Sequence, residues 1–366
     1  MTSNAPSHHA AIVATRLGGP LQTITVPTPS PGPDEVLVRV LWASPTPFNN
    51  WQKDFGLAVA EWPAFLGENS VGTVTALGSD VTSLDVGDVV FGYTHGPPKV
   101  QSFQEYIVVP ARRLGRVPAS LDPRAAATVP GNFITAWWSF THYLGVGLPY
   151  DLPAKEKPAR YDEPILIWGG ATSVGQYAIQ ILKQAGYTNV ITAASPRHSI
   201  LLKSYGARII IDYRAPLADV HAALLDAANG QKYMKVLDCV GHDKKTIALY
   251  RDVVAAGGTV ALLLPVQISD EKGEVVSAQS VDSDFGDFPE GVKSVGVRTH
   301  FYQTDEELYE KLQPEVMPRL FGSGVIKPNA FRVVEGESLQ ERVDESLRHL
   351  REGLVSGEKL VFAVDA

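Results

Sequence analysis

The sequence predicts an α/β protein of two modules, a strand-rich first third and a doubly wound parallel α/β unit in the middle. Three observations lead there. The chain has 366 residues, whereas single hydrophobic cores stop growing near ~250–300 residues. Its first third is built of short β-rich runs, several with alternating apolar and polar side chains, between frequent Gly and Pro turns. After residue 160, short and almost wholly apolar runs are separated by helical stretches, the pattern of parallel strands whose two faces are both covered by helices.

Taken in order, EVLVRVLW at 35–42 is the first clear strand, and VGTVTALG and QEYIVVP follow it. PTPSPGPD before the first and GPP at 96–98 punctuate them. An all-β module, folded over as a barrel, is the expectation. PYDLPAKEKPARYDEP, residues 149–164, is rich in proline and charge and reads as an exposed connector. ILIWGG, VITAA, RIIIDY, KVLDCV and TVALLL then read as five parallel strands, with helices such as SVGQYAIQILKQAG between them. The last segment holds a strand FRVV, an amphipathic helix from about Ser338 to Leu354 and a closing strand KLVFAV. Leu339, Val343, Leu347, Leu350 and Leu354 form that helix's apolar stripe.

Composition narrows the function. With 45% apolar and 20% charged residues the chain is globular. A net charge of −8 gives no source for the counterion-release attraction of nucleic-acid binding. Cys239 is the sole cysteine, which excludes an internal disulfide and a thiolate cluster and fits a reducing compartment. No basic segment leads into an apolar leader, and no run reaches the ~18 apolar residues of a membrane span. The expectation is a cytoplasmic enzyme without a nucleic-acid or membrane partner.

The strongest mechanistic signal is WGGATSVGQYAIQ at 168–180, which ends an apolar strand and opens a helix. Glycines there permit a tight turn and close backbone approach, and the helix N-terminus offers N–H groups to a pyrophosphate. Gly170, Ala171, Thr172, Ser173 and Val174 are the candidate dinucleotide cradle, although Thr172 stands where G-x-G-x-x-G has its middle glycine. An acid at the end of the second strand would bind the ribose hydroxyls of NAD. VITAA instead runs into Ser195-Pro196-Arg197-His198, where a hydroxyl and a guanidinium suit a 2′-phosphate, so NADPH is the expected cofactor. Ser195 also reads as a helix N-cap with Pro196 first in the helix. Tyr213 and Arg214, at the tip of the third strand, are candidates to flank the adenine and phosphate, or are loop residues without that role.

On these segments, together with PAFLGENSVGTVTALGSDVTSLDVGDVVFG, FQEYIVVPARRLGRVPASLDPRAAATVPGNFITAWWSF and LVSGEKLVF, the chain resembles the medium-chain dehydrogenase/reductase superfamily over nearly its whole length. Within it the likeness is to the zinc-free fungal branch that contains trans-acting enoyl reductases of polyketide synthases and quinone-oxidoreductase-like proteins. The resemblance implies a GroES-like catalytic domain from residues 1–130 and 301–366, and an inserted Rossmann-type domain at 131–300. It implies an active site in the cleft between them, Thr135 approaching the nicotinamide, and Leu263, Leu264 and Pro265 lining its pocket.

Two departures bear on mechanism. Zinc alcohol dehydrogenases carry a G-H-E segment whose histidine binds the catalytic metal; here the positions read Gly67-Glu68-Asn69, and no cysteine stands near Ala43 to Thr46. A tetrahedral zinc site needs three or four such ligands, so the expected metal content is none. Relatives also place a lysine in N-P-x-D-W-K, whereas this chain reads TPFNNWQK; Lys53 is the candidate substitute, or a solvated lysine.

The chemistry that fits is conjugate reduction, with hydride passing to the β-carbon of an activated alkene and a proton to the α-carbon. Tyr143, His142, Tyr106 and Lys53 carry suitable acid groups, but none declares itself, and water is an alternative. The aromatic run Phe133, Trp137, Trp138, Phe140 and Tyr143 is a core stripe or a substrate wall. Three functions stay open: an enoyl reductase acting on a small-molecule or acyl-carrier-bound substrate with a polyketide synthase partner, a quinone or small-enone reductase, and a cofactor-binding protein with a non-redox or scaffold role. Monomer and dimer are both compatible with the sequence.

Overall fold

A computed structural model describes residues 5–242, 246–263, 265–269, 275–279 and 288–364. The chain divides into two compact units, Met1–Gly131 with Gln303–Ala366, and Asn132–Tyr302.

In the first unit the strand Glu35–Ala43 is central. It pairs antiparallel with Asn69–Leu77, Tyr106–Pro110 and the C-terminal Glu358–Ala363. Its alternation is imperfect because Val36, Leu37, Val38 and Val40 are all buried while Arg39 faces water. Asn69–Leu77 continues the sheet to Val89–Tyr93 and Leu114–Arg116. A second, three-stranded sheet places His8–Ala14 between Leu21–Pro27 and Ala64–Phe65. Val36, Val38, Val40, Ile107, Val109 and Phe362 share one core, so residues more than three hundred positions apart hold the same packing. This is the strand-rich, GroES-like architecture.

Helix Leu339–Arg351 closes that core. Ser338 caps it by accepting from the Glu341 N–H at 3.2 Å. Val343 and Leu347 are buried. The predicted stripe is too long by one residue: Leu354 lies beyond the last helical turn and is 52% exposed.

The second unit is a six-stranded parallel sheet in the order Ile209–Ile211, Val190–Ala193, Ile165–Trp168, Tyr233–Asp238, Val254–Leu263 and Lys293–Val297. In chain order that is 3-2-1-4-5-6, the doubly wound Rossmann arrangement. The expectation of five strands is corrected to six. Lys293–Val297 is lysine, serine and glycine mixed with valines, so it lacks the apolar run of its neighbours, yet it pairs with and covers the edge of Val254–Leu263. The helix Ser173–Gln184 is buried continuously from Val174 to Leu182, as expected for a helix packed on more than one side. Residues 149–164 form bends and turns and are mostly exposed. Among the described residues no helix is long and apolar enough to cross a membrane.

Candidate active site

The strand order sets where a ligand binds the second unit. Ile165–Trp168 lies between strands that leave in opposite directions of the winding, and ligands of such sheets bind outside the carboxyl ends of the strands at this switch point. The glycine segment begins there. Gly169 takes the left-handed conformation, with φ of 82°. A side chain on Gly170 would stand 2.0 Å from the Thr192 hydroxyl, and one on Gly175 would stand 2.4 Å from the Gly169 carbonyl. Thr172 tolerates its side chain because the hydroxyl is used: it accepts from the Gly175 N–H at 3.1 Å and caps the helix. The first-turn amides of Ser173 and Val174 have no acceptor among the described residues, as helix N-termini leave them. Ala171, Thr172 and Ser173 are half-buried, so the cradle is open. Close backbone, helix dipole and open amides fit a pyrophosphate.

Ser195 stands at the N-cap position of the short helical turn Pro196–His198, but its hydroxyl makes no capping bond. The exposed Arg197 lies beside His198, Nε to Nε2 at 3.2 Å. Burial and then the Arg197 charge hold the His198 imidazolium below the usual histidine range. Tyr213 is 40% exposed. Arg214 is gripped by its neighbour Asp212 through two bonds of 2.8 and 2.9 Å. Leu263 ends its strand half-buried, Pro265 is buried, and Leu264 lies outside the described residues.

Thr135 sits in the helix Pro130–Trp138, its hydroxyl 2.7 Å from that of Thr299. The following turn, Ser139–Tyr143, is π-helical and brings the Tyr143 hydroxyl to the Arg298 N–H at 3.2 Å. Phe133, Trp137, Trp138 and Phe140 are almost wholly buried, which makes them core rather than an open substrate wall. His142 stacks on Trp138 at 4.0 Å.

One site residue escaped the sequence reading. Asp238 ends the fourth strand fully buried, which is unusual for an acid with no ion pair among the described residues. Its Oδ1 accepts the N–H groups of Val240 at 2.8 Å and Gly241 at 3.0 Å, and its Oδ2 receives the hydroxyls of Thr246 at 2.9 Å and Tyr250 at 3.0 Å. Burial pushes the carboxyl up against these four bonds. The turn it holds carries Val240, whose side chain fills the place a Gly169 side chain would take. Asp238 thus positions the floor of the glycine segment. The acid inside KVLDCV was the available signal. Burial likewise pushes the adjacent Cys239 thiol up, which disfavours its thiolate.

In the first unit, the positions that replace zinc ligands are bonded to one another. Thr46 Oγ1 donates to Glu68 Oε1 at 2.6 Å, at the start of the helix Pro47–Phe55. Glu68 is only 6% exposed, and its Oε2 lies 3.6 Å from His95 Nδ1. The buried Lys359 donates to the Pro45 carbonyl at 3.2 Å; burial lowers its ammonium to about 8, against the opposing field of Glu68. Ser44 is tied to Leu360 and Asn69, and Asn69 to Gly131, so the Ser44–Thr46 segment is fixed from three sides. A hydroxyl and a carboxylate joined in this way are not a tetrahedral zinc donor set, and among the described residues no group of three His, Cys, Asp or Glu side chains is placed to hold a metal ion. Lys53 is on the same helix but pairs with Asp54 at 3.0 Å.

Comparisons with known proteins agree with both units. Residues 32–119 match the alcohol dehydrogenase GroES-like domain, and residues 173–274 match the zinc-binding dehydrogenase family. The enoyl reductase component lovC of lovastatin nonaketide synthase from Aspergillus terreus is 30% identical over 93% of this chain and 92% of its own length. The trans-enoyl reductase tazE from the same species is 33% identical over 64% of this chain and 78% of its own. An alcohol dehydrogenase superfamily protein from Novosphingobium aromaticivorans superposes with a TM-score of 0.75 at 23% identity, covering 98% of this chain and 100% of that one. With a GroES-like unit and a Rossmann-type sheet of the kind that holds a nicotinamide dinucleotide, the chain belongs to the medium-chain dehydrogenase/reductase superfamily of oxidoreductases, among the fungal trans-enoyl reductases and their quinone-oxidoreductase-like relatives.

Proposed function

We propose that this chain is a zinc-independent, NADPH-dependent reductase that transfers hydride to an activated C=C bond of an enoyl thioester or enone. The observation that carries the reading is the Thr46–Glu68 pair, a hydroxyl bonded to a carboxylate at 2.6 Å where a catalytic metal would need a histidine and a cysteine. Without a Lewis acid, reduction of a simple carbonyl loses its main stabilisation, whereas a conjugated alkene delivers its developing charge to an oxygen that hydrogen-bond donors can hold.

When bound, NADPH supplies the hydride. The chain's own residues bind and orient it: the Gly170–Val174 turn takes the pyrophosphate, and Ser195 and Arg197 take the 2′-phosphate. Thr135, with Thr299, offers a hydroxyl pair toward the nicotinamide amide, and Leu263 lines its pocket. Tyr213 and His198 flank the adenosine end. Lys53, held by Asp54, is the weakest member of this set. The relatives' names, a trans-enoyl reductase and the enoyl reductase component of a nonaketide synthase, support the reaction class and a polyketide synthase as partner, and an acyl-carrier-bound substrate is the form such a partner would present.

The test is NADPH consumption with an enoyl-pantetheine thioester, against simple quinones, before and after dialysis with a zinc chelator. Thioester turnover that survives the chelator is expected. Turnover of quinones alone, or loss of activity restored by zinc, would overturn the reading. Tight NADPH binding with no oxidation by any acceptor would replace it by a non-redox role.

A further inference from the structure

We propose that Ser195 is a phosphorylation site for a proline-directed protein kinase, and that a phosphate there shuts out NADPH by taking the place of its 2′-phosphate. The inference rests on the reading of Ser195 and Arg197 as the 2′-phosphate subsite, and adds a regulation of that same subsite.

The sequence narrows the choice first. Five hydroxyl residues precede a proline, Thr28, Ser30, Ser44, Thr46 and Ser195, and only Ser195 has a basic residue directly after that proline, Arg197. Three of the five hydroxyls are already engaged. Thr28 Oγ1 lies 3.0 Å from His9 Nδ1, the buried Ser44 donates to the Leu360 carbonyl at 2.7 Å, and Thr46 donates to Glu68 at 2.6 Å. The hydroxyls of Ser30 and Ser195 make no hydrogen bond among the described residues. Ser30, exposed in the loop before Glu35–Ala43, lies in the other unit and serves as a control.

The local geometry then presents the hydroxyl. Proline biases the residue before it toward extended backbone, and Ser195 has φ of −63° and ψ of 135°. It follows the strand Val190–Ala193, where the Ala194 N–H is still tied to the Ile211 carbonyl at 3.0 Å. Ser195 is half-buried, while Pro196 and Arg197 are exposed. Beyond it the chain is held lightly. The turn Pro196–His198 is closed by the His198 N–H on the Ser195 carbonyl at 3.0 Å and by the Ser199 N–H on the Pro196 carbonyl, and Ile200 behind it is 88% exposed. A segment with so little buried apolar contact opens at small cost in free energy, which a kinase cleft requires of its substrate.

The step balances. Ser195 Oγ attacks the γ-phosphorus of ATP, the bond from that phosphorus to the ADP oxygen breaks, and the hydroxyl proton leaves through the kinase's carboxylate base to solvent. The products are ADP, a proton and a phosphoserine carrying about −1.5 to −2 charges. Nothing is oxidised or reduced. Arg197, two residues on, is the cation read as meeting the cofactor's 2′-phosphate, and it meets this phosphate instead. A second phosphate brought to the same guanidinium is repelled by the first. NADH, which has a plain ribose there, brings none.

The test incubates the folded full-length protein with ATP and a proline-directed kinase of the mitogen-activated class, and maps the phosphate by mass spectrometry. Phosphate is expected on Ser195, with its uptake slowed by saturating NADPH and abolished at that peptide in Ser195→Ala. The phosphorylated protein should bind NADPH about 10–100-fold more weakly, the loss of a hydrogen bond to a charged group, with its NADH affinity no lower. A Ser30→Ala variant should behave in the same way as the wild type. Folded protein left unmodified at Ser195, while a free peptide of residues 190–203 is phosphorylated, would overturn the proposal, because the turn does not open. A peptide as inert as the protein would overturn it at the level of sequence, and so would phosphorylated protein that binds NADPH as tightly as before. Unmodified protein that binds NADH as tightly as NADPH would instead overturn the underlying reading of the subsite, which separates the two failures.

Discussion

The Tyr250 hydroxyl donates to the buried Asp238 carboxylate at 3.0 Å, one of four groups that hold the turn beneath the glycine segment. Hydrogen bonds to a charged group contribute about 1.5–3 kcal/mol, and a donor lost from a buried carboxylate is not replaced by water. Tyr250→Phe should lower the melting temperature by roughly 4–8 °C, the range for ~2 kcal/mol in a unit of this size. It should also speed amide hydrogen exchange at Val240 and Gly241. An unchanged exchange rate at those two amides would show that the carboxylate does not hold the turn.

Gly175 offers a sharper test of the cradle. A methyl group there meets the Gly169 backbone at 2.4 Å, and backbone cannot rotate away as a flexible side chain would. Gly175→Ala should cost about 1–3 kcal/mol in stability and weaken NADPH binding at least about tenfold, because the pyrophosphate turn must open to admit it. Isothermal titration with NADPH and thermal melting check both.

Cofactor choice should lie with two side chains. Replacing Arg197 by Glu puts a carboxylate against the 2′-phosphate, so kcat/KM for NADPH should fall about 10–100-fold while that for NADH changes little. Ser195→Asp should raise use of NADH by supplying the acid that ribose hydroxyls prefer. Equal loss with both cofactors would mean that neither residue reads the phosphate.

Lys359 predicts a pH dependence whose sign is fixed by burial. Its ammonium falls from the ordinary 10.5 to about 8 in the folded protein, so between those values the unfolded chain binds the extra proton. Stability tied to this group therefore rises with pH from about 8 to about 10.5, by about 3 kcal/mol in all, and is absent below that window. Urea midpoints of wild type and Lys359→Met, compared at pH 7.5 and pH 10, should converge or cross as the wild type gains. Parallel curves would contradict it.

Much of the site was legible from short-range pattern. Gly169, Gly170 and Gly175 announce a turn that no side chain can enter, and the strand before them and helix after them are periodicity statements. Ser195 and Arg197 stay a proposal, because the residue type at one strand end suggests the cofactor but their side chains make no contact that decides it. Lys293–Val297 was not legible, since its place comes from pairing with Val254–Leu263 rather than from its own apolarity. Leu354 marks the opposite error, a helical stripe extended past the point where the backbone turns away.

By itself, the sequence determined the two-module α/β class, the glycine turn between strand and helix, and the absence of a histidine at 67–69 and of a cysteine at 43–46, because each depends on residues adjacent in the chain. Only the tertiary structure decided what fills those places. Thr46, Glu68, His95 and Lys359 are scattered over more than three hundred residues, and Asp238 meets Tyr250 twelve positions later across a turn. Their relations are set by long-range strand pairing and by the need of each buried charge for partners, which no local periodicity records.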